Sequence, residues 1–498
     1  MNTAYLNSHD FAFYSDAQEQ FENILSQLQS EDYSHFDHGQ IEQHINKEGV
    51  ELMRHLLQGW LNMKADCESR HSGVTAANGE NLNHVKSQTS RTLTSLFGKV
   101  RVSRHSYSQR QQTSVFPFDA ELNLAKDQYS DGLRYRIAKE AIRGSFDDTV
   151  ETIRGTTGGH VPKRQSQKLV KDIAQDFESY YQSPDAAKAE ETQDLLVLSF
   201  DGKGIVMRPD SLRECTRKAA RKSNKLNSRL SQGEKKDRKR MAQVAAVYTV
   251  LPHVRAAESI MSKGNDDDTV RSFRPPVRNK RVWASVEREA ENVIEEAFQE
   301  ALCRDPEQNR DWVILIDGLP HQIKLIEKVM TRFNVKATVV MDFVHVLEYL
   351  WKAAWCFFDK GDPEVEEWVA QRALKILNGD CHQVAKGMRL SATRRNMANR
   401  ENIDKCANYL LKNKSRLQYG KALRMGLPIA SGVIEGACRH LINDRLDITG
   451  ARWSLEGAEA ILKLRSLKSS HDFQDYWEYH KQQSKKRLYQ FSIGGDDG

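Results

Sequence analysis

The sequence predicts an α/β protein: a mixed-sheet domain interrupted by an all-helical insertion and preceded by a mainly helical N-terminal region. Three observations predict it. Short apolar runs of strand type recur between residues 195 and 342, and three of them, "LLVLSFDGKG", "DWVILIDGLP" and "ATVVMDFVH", run into an aspartate. The later runs alternate with helix-length periodic segments, the succession of a sheet that starts antiparallel and continues parallel through crossovers. From 346 to 427 the pattern is helical, so this stretch does not lengthen the sheet.

Residues 1–82 read as the N-terminal helical region. Phe21, Ile24, Leu25 and Leu28, then Val50, Leu52, Leu56, Leu57 and Trp60, recur at helical spacing and suit two helices packed on each other. Gly73 to Asn83 is polar and rich in small residues, as a linker is. Residues 83–130 hold a β-hairpin segment in which "RTLTSLFGKVRVSRHSYS" alternates around Gly98. Its Arg91, Lys99, Arg101 and Arg104 suit either a DNA backbone or an ordinary small sheet.

Residues 131–185 give three short helices. "DGLRYRIAKEAIRG" ends at a glycine, "SFDDTVETIRGTTG" starts with a Ser145 cap, and "VPKRQSQKLVKDIAQDFESYY" follows Gly158 and Gly159. The spacing suits a helix-turn-helix that offers Lys163, Arg164, Gln165, Gln167 and Lys168 near the N-terminal end of its last helix. A plain bundle has the same periodicity, and the basic and amide side chains tip the reading toward DNA.

After a linker, "QSPDAAKAEETQD", the first part of the sheet domain spans 193–345. The expected order is strand 195–201, strand 204–208, a basic insertion, strand 241–251, helix 282–302, strand 312–317, helix 321–333 and strand 336–342. Gly202 and Gly204 lie at a tight strand turn in this reading and lack the spacing and Lys-Ser ending of a nucleotide loop. The helical insertion covers 346–427, the last helices of the sheet domain 428–480, and a tail 481–498.

With 498 residues, two to four domains are expected. No apolar run approaches the roughly 18 to 20 residues that span a bilayer, and the N-terminus lacks a basic region followed by an apolar one. The expectation is a cytoplasmic protein with no membrane partner. Seven cysteines without a CxxC pair fit reduced thiols better than a disulfide framework or a cysteine zinc site. The net charge is only +6, yet Arg217 to Arg240 holds eleven Lys or Arg against two acids. That run, with Arg217, Lys218, Arg221 and Lys222 at its start, is either a solvated helix or loop or a phosphate-contacting segment.

Acids at the ends of neighbouring strands converge on one sheet edge, and an acid from a later packed helix can complete the cluster. Two or three carboxylates with substrate phosphate suffice for Mg2+. Two such ions roughly 3.5 to 4 Å apart serve an in-line displacement at phosphorus. A shared cation would account for Asp317 at the end of a buried strand, where a lone charge is costly.

At these residues the chain resembles a known family. "FDGKG", "LIDGLPHQI", "DFVHVLEYLW" and "SGVIEGACRHLINDRLDITGARWSLEGAEAILKLRSL" look like the motifs of bacterial insertion-sequence DDE transposases of the ISKra-four family, related to the Mutator-like group. The resemblance spans Leu195 to about Tyr479 well and the N-terminal part more loosely. It implies an RNase H-like fold, with Asp201, Asp317 and Glu435 as catalytic acids and as ligands of Mg2+ or Mn2+, two ions in all. Asp342 is the rival second acid. With His345 it otherwise has a supporting or DNA-contacting part, and His345 also suits a satisfied histidine near a core.

Arg439, His440, Arg445 and Arg452 flank Glu435 and suit DNA contact or surface ion pairs equally, whereas Trp453 fits core packing better than base stacking. The function expected is a DNA transposase, cutting element ends and joining the 3′ hydroxyl to target DNA. It would act on double-stranded DNA in the bacterial cytoplasm, at the nucleoid, as a homodimer or larger assembly. The alternatives are a metal-dependent nuclease without strand transfer and a domesticated DNA-binding protein.

Overall fold

A computed structural model describes residues 11–183, 189–222, 238–261, 275–448 and 450–494. The chain divides into two compact units, one of residues 1–176 with 474–498 and one of residues 177–473. Most of the cationic insertion, residues 223–237, lies outside the described residues. Among the described residues no helix is long and apolar enough to cross a membrane. All seven cysteines are free thiols.

The first unit opens with α1 (Ser15–Gln29) and α2 (His38–Asp66), the latter started by a capping box between Asp37 and Gln40. A two-helix hairpin buries only one side of each helix. Ala17 and Ile24 of α1 are covered, whereas Phe21, Leu25, Leu56 and Trp60, expected to pack between the helices, remain exposed. Strand β1 (Val74–Ala76) pairs with the C-terminal strand Phe491–Ile493. The hairpin of β2 (His84–Ser95) and β3 (Gly98–Ser108) turns at Leu96 and Phe97, and Leu93, Val100 and Val102 pack with Leu61 of α2 and Phe118 of the short α3 (Pro117–Glu121).

Two of the four hairpin cations considered for DNA contact, Arg91 and Arg104, are not available to it. Arg104 is buried 2.7 Å from Asp119, and Arg91 lies 3.3 Å from the same carboxylate and donates to the Ala125 carbonyl at 3.0 Å. A buried carboxylate has to be paired, and Asp119 draws both guanidiniums inward.

Three helices follow, α4 (Asp131–Ala141), α5 (Phe146–Thr156) and α6 (Lys163–Ile173), with a Ser145–Asp148 capping box on the second. They pack mutually around Leu133, Ile137, Ile153, Leu169 and Ile173. The Gly158 N–H donates to the Leu96 carbonyl at 2.7 Å, which seats the hairpin turn on the loop before α6. A Cβ on Gly158 would lie 2.5 Å from the Phe97 carbonyl carbon and oxygen, both backbone atoms. Gly158→Ala is therefore expected to destabilise this unit by about 1–3 kcal/mol, read as a lower urea midpoint at unchanged m. An unchanged midpoint would mean that the turn and loop do not touch in solution.

The second unit starts with α7 (Phe177–Tyr181) and is built on a five-stranded mixed sheet in the order β6-β5-β4-β7-β8. The strands are β4 (Leu195–Val206), β5 (Lys239–Val250), β6 (Arg278–Ser285), β7 (Trp312–Ile316) and β8 (Thr338–Met341). β4, β5 and β6 are antiparallel, and β7 and β8 join in parallel.

Two expectations are corrected here. The runs at 195–201 and 204–208 are one strand, paired with β5 from Leu195↔Val250 to Val206↔Lys239, so Gly202 and Gly204 lie inside a strand and not at a turn. The third antiparallel strand is Arg278–Ser285, whose second half was read as the start of a helix; that helix, α10 (Ala290–Arg304), begins only at Ala290. The α8 helix (Glu214–Lys222) and α9 (Ala257–Met261) flank β5 in sequence.

Helix α10 packs on β4 and β5 and against α11 (Pro320–Arg332), the β7-to-β8 crossover. The helical insertion is a layer of α12 (Phe343–Ala354), α13 (Glu364–Leu377), α14 (Cys381–Arg394), α15 (Glu401–Lys412) and α16 (Tyr419–Arg424). The chain then returns to the sheet. There α17 (Gly432–Ala437) packs on β4, β5 and β6, widens into a π-helical stretch at Cys438–Asn443, and leads to α18 (Leu455–Ser470) on β6.

Candidate active site

The sheet register brings the strand-end acids together. β4 and β7 pair from Leu196↔Trp312 to Ser199↔Leu315, a constant offset of 116 positions (315 − 199), and the same offset takes Asp201 to Asp317. β7 and β8 pair from Val313↔Thr338 to Ile316↔Met341, an offset of 25 (341 − 316), which takes Asp317 to Asp342. The paired residues end at Ser199↔Leu315 and Ile316↔Met341, so Asp317 and Asp342 each follow the last residue of β7 and β8, and Asp201 lies two positions beyond the last β4–β7 pair; all three fall at the same end of three adjacent parallel strands. The environments of these acids differ.

Asp317 is half-buried, and its carboxylate accepts from the Leu319 N–H at 3.1 Å. The Tyr409 hydroxyl, on a ring stacked 4.1 Å from Tyr349, donates to the Asp317 carbonyl at 3.2 Å and fixes this corner from the helical insertion. Burial pushes the Asp317 carboxyl above the ordinary carboxylate range. The Leu319 N–H opposes the shift and the negative charge of Asp201 adds to it. Asp201, also half-buried, accepts from the Gly202 N–H at 2.6 Å and from the Cys438 thiol at 3.0 Å. Burial, then Asp201, drive the Cys438 thiol far above its usual range, so it remains a protonated donor.

Glu435 sits on α17 with its side chain exposed, one turn before Cys438 and on the same side of the helix. Cys438 thus ties the Glu435 helix to Asp201. The Arg465 side chain of α18, itself buried, donates to the Leu441 carbonyl at 3.1 Å and to the His440 carbonyl, holding the π-helical stretch from below. Neither Cys438 nor Arg465 stood out in the sequence. The one available signal was the spacing of Cys438 three residues after Glu435.

Asp342 is fully buried and both its oxygens are engaged. One caps α12 by accepting from the Val344 N–H at 2.8 Å; the other accepts from the Ser431 N–H at 3.2 Å and from the Ser431 hydroxyl. Burial pushes its carboxyl up to about 6, against the Val344 N–H and the charge of His345, while Glu435 adds to the shift. Asp342 therefore anchors the turn from which the Glu435 helix departs. His345 is half-buried on the first turn of α12, 3.9 Å from Glu348, where its charge reaches both Asp317 and Asp342.

Asp201 and Asp317 together make an oxygen-donor set of the type that suits a hard divalent cation with phosphate oxygens and waters. The raised Asp317 carboxyl fits such a group, because a neighbouring cation relieves the repulsion between the pair. Among the described residues no group of three or more His, Cys, Asp or Glu side chains is placed to hold a metal ion, so Glu435 is not gathered with the two aspartates.

The candidate DNA contacts divide by exposure. On α6, Lys163, Arg164 and Lys168 are exposed and Gln167 half-exposed, with Lys163 2.6 Å from Asp147. On α8, Lys218 pairs with Glu214 at 2.6 Å, Arg217 is half-buried, and Arg221 and Lys222 face solvent. Arg439 and Arg452 are exposed, the former 3.8 Å from Asp444. Arg445 is a correction: it is buried, its guanidinium 4.8 Å from the Trp453 ring centroid, and so is not presented to DNA. Trp453 is core, its indole N–H donating to the Leu446 carbonyl at 3.1 Å. In comparisons with known proteins, no family model and no curated protein matches the chain.

Proposed function

We propose that this protein is a DNA transposase with an RNase H-like catalytic unit, in which Asp201, Asp317 and Glu435 act on the scissile phosphate. The observation that carries the reading is that Asp201 and Asp317, at the same end of the adjacent parallel strands β4 and β7, lie close enough for the charge of Asp201 to act on the Asp317 carboxyl. Two carboxylates are held side by side there, with one of them raised in pKa by burial and by the other. Such clustered, desolvated acids cost stability and are typical of reaction centres. Support also comes from the Glu435 helix, which lies against β4, β5 and β6 and reaches Asp201 through Cys438.

Mg2+ or Mn2+, two ions in the assembled site, would be held by Asp201, Asp317 and Glu435 and would neutralise phosphate charge and acidify the attacking water. The chain's own part is placement. Asp201 is oriented by the Gly202 N–H and the Cys438 thiol, and Asp317 by the Leu319 N–H. Glu435 swings in on a helix whose starting turn is fixed by Asp342. In the first step water displaces the 3′ oxygen at the element's end; in the second that 3′ hydroxyl attacks a target phosphodiester at the same site and displaces the 3′ oxygen of the target strand. Both steps depend on positioning and on neutralising developing charge. Helices α4 to α6 form the helix-turn-helix that reads the element's ends, with Lys163, Arg164, Gln167 and Lys168 toward DNA. Two ends are handled together, so the active form is a dimer or larger assembly on DNA.

The test is incubation of the purified chain with labelled duplex from the DNA flanking its gene, in Mg2+ or Mn2+. The expected products are strands cut to a 3′ hydroxyl and strands joined to a second duplex. Cutting without joining would leave a nuclease, and binding without cutting a DNA-binding protein.

A further inference from the structure

The second unit's acids leave unexplained a cleft in the first unit. Where the β2–β3 turn meets the loop before α6, a cavity of about 340 Å3 opens between the hairpin and the helix. Its lining includes Lys99, Gln128, His160 and Gln165, and no Asp or Glu. Lys99 and Gln165 are exposed at its rim, and the side chains of Lys99, His160 and Gln165 have no hydrogen-bond or ion-pair partner among the described residues. Its floor at Gly158 is backbone, held against the hairpin by the bond to Leu96.

A second cleft, of about 640 Å3, adjoins it across Lys99 and Gly158 on the α2 side and differs in charge. There Arg54 is bonded to Glu51 at 2.9 Å and Lys47 lies 3.5 Å from Glu48, so the cations that this cleft adds to the shared Lys99 are already neutralised. An anion gains more on the α6 side, where a lysine, an imidazole and an amide converge without a competing carboxylate.

We propose that the cleft between the β2–β3 turn and α6 is a binding site for a DNA backbone phosphate, with Lys99, His160 and Gln165 as its donors. This rests on the DNA-binding reading above and deepens it. A phosphate fixed here sets the register and orientation of the duplex on the unit and carries no sequence information. The exposed Arg164 and Lys168 of α6 lie beyond it on the adjoining helix, where base edges and further phosphates are within reach. A β-hairpin turn seated on the loop before the helix thus becomes part of the DNA interface, supplied by Lys99.

The experiment is fluorescence anisotropy of the full chain with a duplex carrying the gene's flanking ends, titrated over a range of NaCl. Lys99→Gln, Lys99→Gln with Gln165→Ala, and Lys47→Gln as the control from the neighbouring cleft are compared with wild type. Thermal unfolding of each variant, with these side chains at the surface, should match wild type. Lys99→Gln is expected to weaken binding about tenfold at low salt and to make the slope of log K against log salt shallower by about 0.9, with a further loss in the double variant. Lys47→Gln is expected to leave affinity and slope as they are. If wild type binds the duplex and the Lys99 variants keep its affinity and slope, the cleft is not a phosphate site and the DNA-binding reading stands. If wild type shows no salt-dependent duplex binding, both fail.

Discussion

Replacing Asp317 by Asn is expected to reduce strand cutting by about a thousandfold or more while leaving the melting temperature unchanged or raising it. The two halves of this result have one cause. Burial and the charge of Asp201 raise the proton affinity of Asp317 in the folded state. A group whose folded pKa lies above its unfolded value contributes stability that is fully present only below the unfolded pKa and is lost as pH rises through the folded one. At neutral pH the ionised carboxylate is therefore a burden on the fold. Asparagine keeps an oxygen to accept the Leu319 N–H and removes the repulsion from Asp201. Activity falls because the amide cannot neutralise charge at the phosphate, the usual exchange between stability and function at such centres. Cutting assays and calorimetry on the same preparation check it. A dead variant that also melts several degrees lower would make Asp317 a structural acid; a variant that cuts normally would remove it from the site.

The acids were legible in the sequence because strand endings are local: short apolar runs of three to five residues that lead into an Asp mark both the strand and its polar end. That Asp201, Asp317 and Asp342 come to the same end of the sheet depends on strand order and register, which no short window contains. The same boundary explains the misread elements. "FDGKG" carries two glycines and so suggested a turn, yet pairing with Lys239–Val250 keeps the chain extended through it. "RNKRVWAS" begins with cations and supplies only a short apolar run, so β6 merged with the helix after it. Side-chain direction was the least legible feature. Arg91 and Arg104 turn toward the buried Asp119, and Arg445 toward Trp453, because partners distant in sequence wait inside. Cys438 and Ser431 acquire their parts only when the last helices return to the sheet after the helical insertion.

Asp342 should behave in the opposite way to Asp317. Its carboxylate caps α12 and holds both the N–H and the hydroxyl of Ser431, so Asp342→Ala removes a helix cap and leaves buried donors at Ser431 without an acceptor. The cap is worth about 0.5–2 kcal/mol and an unsatisfied buried donor about 1–3 kcal/mol. A loss of about 2–4 kcal/mol is expected near pH 5 from urea unfolding. The loss should depend on pH in a defined direction. The folded pKa of about 6 lies above the ordinary aspartate value, so the stability that Asp342 contributes is full below that value and declines as pH rises through about 6. Between pH 5 and pH 7.5 wild type loses what remains of this contribution and the alanine variant has none to lose, so the gap between them narrows. A gap that stays constant or widens would show that Asp342 is held as an ion by its three donors and that its burial is compensated. Cutting by the variant should fall only in part, since Asp342 orients the turn before Glu435 and leaves the Asp201 and Asp317 pair in register. Complete loss of cutting in a folded Asp342→Ala protein, with Asp317→Asn still active, would move the second acid one strand along the sheet.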